Sequence, residues 1–136
     1  MRILIAFITM LSLTACSSVG MIASPQREFN TTETLQLASR PANFVDTVVE
    51  VGKSLNYEYA GGDRSKNIIN FTDNTGLGMG VLIGKVSQNR LTVSLAPDGR
   101  SVKFDLNSFG NFSTANEEKI SERIGEFKNA LQTNLR

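Results

Sequence analysis

The sequence predicts an α+β fold: an antiparallel meander sheet of four to five strands, with an N-terminal and a C-terminal helix packed on one face. Three observations lead there. Apolar and polar residues alternate through several short segments, the period of a sheet covered on one side only. Turn chemistry built on Gly, Pro, Asn and Asp separates those segments. One strong apolar stripe at helical spacing closes the chain, and a shorter one precedes the strands.

The first helix is expected to begin at Ser39 or Arg40, with Pro41 in its first turn, where a missing N–H costs nothing. Phe44, Val45, Val48 and Val51 recur at helical spacing, Leu55 extends the stripe, and Asn56 is a suitable left-handed C-terminal residue. Gly52 inside that helix costs about 1 kcal/mol against alanine, for which close approach to the sheet is a sufficient reason.

Tyr57 and Tyr59 then alternate with Glu58, and Gly61-Gly62-Asp63 has the composition of a turn. Residues 67–72 carry Ile69 and Phe71 on one face. Leu77, Met79, Val81 and Ile83 alternate with Gly78, Gly80 and Leu82. Leu91, Val93 and Leu95 form the next apolar row. Ala96-Pro97-Asp98-Gly99-Arg100 predicts a hairpin with a type I turn and a bulge. Val102, Phe104 and Leu106 follow on the returning strand. In the last element Thr114 and Glu117 have capping-box spacing, and Ile120, Ile124, Phe127 and Leu131 form the apolar stripe. Its charged residues, Arg123 among them, lie off that stripe.

The chain starts differently. Arg2 precedes an apolar run from Ile3 to Leu13, interrupted only by Thr9 and Ser12, and the run ends in Leu13-Thr14-Ala15-Cys16. A basic start, a short apolar stretch and small residues before a cut are the order of an export signal. The run is shorter than the about 20 apolar residues that span a bilayer. The cysteine at the cut resembles the lipobox of bacterial lipoproteins. That resemblance covers residues 1–17 and implies that Cys16 is the lipidation site and first residue of the mature protein. It implies a membrane partner through the lipid. Ser17, which is not aspartate, then favours the outer membrane.

Residues 1–15 are therefore expected to be signal peptide, 16–38 a lipidated start and flexible tether, and 39–136 the domain. Such a tether would span roughly 25 Å on average and roughly 75 Å when taut. Leu35 and Leu37 are its one weak strand signal.

Charge and chemistry exclude much. Loss of residues 1–15 removes Arg2 and no acid, so 14 basic residues against 13 acidic become 13 against 13. Nothing in that balance suits a run of phosphates, so no nucleic-acid partner is expected. The chain has no histidine and one cysteine. Cys–His and Ser–His nucleophile pairs and the usual transition-metal sets are thus missing, and no enzyme activity, cofactor or metal is expected. Asp46, Asp63, Asp73, Asp98 and Asp105 have no spacing that pairs two of them, and read as solvated or turn-forming.

Gly76 to Gly80 superficially matches a phosphate loop, but a strand follows where a helix would be required. Gly78 and Gly80 instead leave one strand face bare. That serves curvature or a bulge, or a surface on which a partner lies. The leading functional expectation is a non-enzymatic, lipid-anchored envelope module that meets an envelope protein or cell-wall partner. The alternative is a carrier of lipid or another small ligand between sheet and helices.

Overall fold

The computed structural model describes residues 27–73, 88–110 and 114–135. The elements in chain order are β1 (Arg27–Gln36), α1 (Phe44–Ser54), β2 (Glu58–Asp63), β3 (Ile68–Asp73), β4 (Gln88–Leu95), β5 (Ser101–Gly110) and α2 (Thr114–Asn134). The five strands make one antiparallel sheet in the order β1-β5-β4-β3-β2. The expected two-layer α+β architecture is present, since α1 packs on β2 and β3 while α2 packs on β1 and on α1.

The meander is β2 to β5, and β1 joins it beyond β5. Arg27–Gln36 had the composition of a tether, but they are a ten-residue strand paired with β5 along its whole length. Backbone hydrogen bonding, aided by the burial of Leu35, decides this in spite of the polar side chains. The domain therefore starts by residue 27, not 39. The ladder continues past the strand, with the Leu37 N–H donating to the Arg100 carbonyl at 2.8 Å. Arg40 then lies against the β4–β5 turn, where a Cβ on Gly99 would fall 2.6 Å from its side chain. These contacts hold the chain out of a helix until Asn43, so Pro41 precedes α1 instead of sitting in its first turn.

The end of α1 matches its sequence. Asn56 takes φ 62, the Tyr57 N–H donates to the Gly52 carbonyl at 2.9 Å, and the Asn56 N–H donates to Lys53 at 3.0 Å. This pair of bonds is a Schellman closure. A Cβ on Gly52 would lie 2.5 Å from the Phe71 ring, so the helix can approach β3 this closely only with glycine there.

Gly61 and Gly62 do not make the turn. They carry a bulge within β2, where the register shifts between Tyr59 and Gly61. The turn follows at Arg64–Lys66, capped by the Asp63 carboxylate, which accepts from the Ser65 N–H and hydroxyl and from the Lys66 N–H. The β4–β5 hairpin forms as its sequence predicts, with the Gly99 N–H donating to the Ala96 carbonyl at 2.9 Å and Gly99 at φ 71.

The core lies between the sheet and the two helices. Ile69, Phe71, Leu91, Val93, Val102 and Phe104 face Val48, Ile124, Phe127 and Leu131, all essentially inaccessible. Phe127 sits at the centre, 5.3 Å from Tyr57, 5.6 Å from Phe71 and 5.9 Å from Phe104 between ring centroids. These are the tilted and edge-on geometries that aromatic quadrupoles favour. The expected strand at Leu77 to Ile83, with Gly78 and Gly80, and the capping side chain of Thr114 lie outside the described residues.

Candidate functional site

Period-two alternation places every second residue of β3, β4 and β5 under the helices, and all but one row of these is apolar. The exception is the row at the end of the sheet where β1 begins. There Asp73 pairs in register with Asn89, and Asn89 with Ser108, all three buried. Buried polar groups are costly unless bonded. The Ser108 hydroxyl donates to the Asn89 side-chain oxygen at 2.7 Å. Asp73 receives Arg123 from α2, with Nε donating at 2.9 Å and Nη2 at 3.3 Å.

Arg123 joins three elements. Its Nη2 also donates to the Leu55 carbonyl just after α1 at 2.9 Å, and its guanidinium lies 4.7 Å over the Tyr57 ring. Burial by itself would lower the Arg123 pKa, but the hydrogen bond and charge of Asp73 raise it instead. Tyr57 is pushed up to about 12, first by burial and then by the Asp73 charge, with Arg123 opposing. Around neutral pH this is a neutral phenol beside a fixed ion pair. Such a cluster fixes α2 to the sheet and offers no activated nucleophile or base.

The opposite face of the sheet is polar, and among the described residues neither helix packs on it. Two rows cross it in register: Asn30, Asn107, Arg90 and Thr72, and beside them Thr32, Asp105, Thr92 and Asn70. Cross-strand bonds hold these side chains. Thr32 donates to Asp105 at 2.7 Å, Thr92 donates to Asn70 at 2.9 Å, and the Asn107 amide donates to Asn30 at 2.7 Å and to Glu28. Lys103 lies 2.9 Å from Asp105. Asn30, Thr32, Arg90, Thr92, Asp105 and Asn107 border a shallow groove of about 270 Å³.

The aspartates follow their sequence reading with one exception. Asp46 meets Arg64 at 3.1 Å on the surface, Asp98 accepts from the Arg100 N–H, and Asp105 lies on the open face. Asp63 is exposed, and its carboxyl lies below the usual carboxylate range, chiefly through the Ser65 hydroxyl. Asp73 is the correction, since it is buried and ion-paired, and Arg123 is correspondingly only 25% exposed. The signal was the alternation itself: Ile69, Phe71 and Asp73 share one face.

Cys16, Gly78 and Gly80 lie outside the described residues. Among those described, no three Asp, Glu, Cys or His side chains group to hold a metal ion, and no helix is long and apolar enough to cross a membrane. Comparison with protein-family models and with curated proteins finds no match.

Proposed function

We propose that this is a lipid-anchored protein of the bacterial cell envelope, held by Cys16 at the outer membrane, whose α+β domain is a non-enzymatic interaction module. The observation that carries the reading is Leu13-Thr14-Ala15-Cys16 at the end of a short apolar run that opens on one basic residue. Two features of the domain support it. The buried ionisable cluster of Asp73, Arg123 and Tyr57 is mutually satisfied, which suits a structural role. The layer between sheet and helices is filled by buried side chains such as Phe71, Phe104 and Phe127, which argues against a carrier cavity there.

The anchor and the domain are close in sequence. From Cys16 to Arg27 the chain can span at most roughly 40 Å, whatever its path. The end of the sheet that begins with Arg27 is thereby kept near the bilayer. Asp73 and Gln88, which flank the segment of Gly78 and Gly80, stand at that same end.

The test is Cys16→Ser in the full chain, expressed in a two-membrane bacterium fed radioactive palmitate. The variant is expected to lose the label and to leave the outer-membrane fraction or accumulate as a precursor. Labelling equal to that of the native chain would overturn the anchor.

A further inference from the structure

We propose that the open face of the sheet binds an acidic, N-acylated glycan strand of the cell wall, with Arg90 receiving a carboxylate; this rests on the envelope location proposed above. The outward side chains of the central rows are mostly Asn and Thr, not the long Lys and Glu that usually solvate a sheet. Short side chains lose little rotamer entropy when a ligand orders them. Several are already held by the cross-strand bonds of Thr32 to Asp105, Thr92 to Asn70 and Asn107 to Asn30. A flat array of fixed hydroxyl, amide and carboxylate groups matches the hydroxyls and acylamino groups of a sugar chain. Fixing such groups in advance lowers the cost of binding.

Charge then narrows the ligand. Asp105 is answered by Lys103 at 2.9 Å, and Glu28 accepts from the Asn107 amide. Arg90 stands exposed between Asn107 and Thr72 in register, and among the described residues it has no side-chain hydrogen bond or ion pair. A guanidinium in this setting suits a carboxylate, which it can hold through two parallel N–H donors. Glu28 keeps its negative charge, so the face as a whole is not cationic; Arg90 offers a single local cation, which fits a chain that is mostly neutral and carries spaced carboxylates. It does not fit a polyphosphate, which needs many cations. Phe109, 49% exposed, lies on the same face one outward position beyond Asn107 and offers an aromatic surface for a sugar ring.

The experiment uses the full chain, purified in detergent, and lipid-free peptidoglycan as the probe. Cosedimentation across a concentration series should show saturable binding that weakens with salt. Arg90→Gln should bind at least about tenfold more weakly, as expected for a lost charge-assisted contact. Its melting temperature should stay unchanged, because the native side chain is exposed and makes no hydrogen bond or ion pair among the described residues. Arg90→Lys should recover part of the binding as a point charge. No saturable binding by the native chain, or equal binding by Arg90→Gln, would overturn the proposal. So would Arg90-dependent binding to anionic lipid vesicles free of glycan, which would assign the face to a lipid surface. Failure of glycan binding while native protein still takes up palmitate refutes the glycan alone. Loss of the anchor leaves the binding test on purified protein intact.

Discussion

Burial is the chief cause that raises the Tyr57 pKa; the Asp73 charge adds to it and Arg123 opposes it, and together they carry it to about 12 from the ordinary 10. A group whose folded pKa is raised binds its proton more tightly in the native state. Its contribution to stability is complete below pH 10 and is lost as pH rises from about 10 to about 12. At about 1.4 kcal/mol per unit, the loss is about 2–3 kcal/mol. Tyr57→Phe keeps the ring contacts to Phe71 and Phe127 and removes the hydroxyl. Urea unfolding on either side of that window should show the native chain losing about 2–3 kcal/mol more than this variant. Equal losses in both would mean that Tyr57 is not held as described. Asp73, the second cause after burial, is the contribution that composition hides. Only its place on the Ile69 and Phe71 face reveals it, and Arg123 sits beside the apolar stripe residue Ile124 with no comparable mark of burial.

At the scale of elements, the alternation of β3, β4 and β5 was legible, as was the stripe of α2. Val102, Phe104 and Leu106 are buried as spaced, and Ile124, Phe127 and Leu131 face the sheet. β1 was not legible as a full strand. Its inward positions from residue 29 onward hold Phe29, Thr31, Glu33 and Leu35, and two of these four are polar. Glu33 points inward at a sheet edge, where Lys128 of α2 reaches it at 3.1 Å. The glycines of β2 were misread for a related reason: a bulge and a turn require the same residue. The consequence for β1 is testable by truncation. Deleting residues 1–26 should leave the unfolding midpoint unchanged. Deleting residues 1–38 removes Leu35 from the core, itself worth about 2–5 kcal/mol, and leaves β5 without its neighbour. That shorter fragment should fail to fold cooperatively in calorimetry. If both fragments melted alike, β1 would not belong to the domain.

For the whole molecule, topology sets orientation. α1 carries the chain across one face from β1 at one edge to β2 at the other, α2 packs on that same face, and among the described residues the polar face carries no helix. The start of β1 lies at the same end as the buried polar row and the flanks of the glycine-rich segment. A lipid on Cys16 would hold this end toward the membrane and leave the open face to one side, free to meet the wall. That orientation depends on the lipid proposed for Cys16. The most direct test is mass spectrometry of the protein extracted from bacterial membranes, read on the intact chain and on its N-terminal peptide. The expected product is a chain that begins at Cys16 and carries a diacylglyceryl group. A chain that begins at Met1, or at an unmodified residue after Cys16, would contradict it.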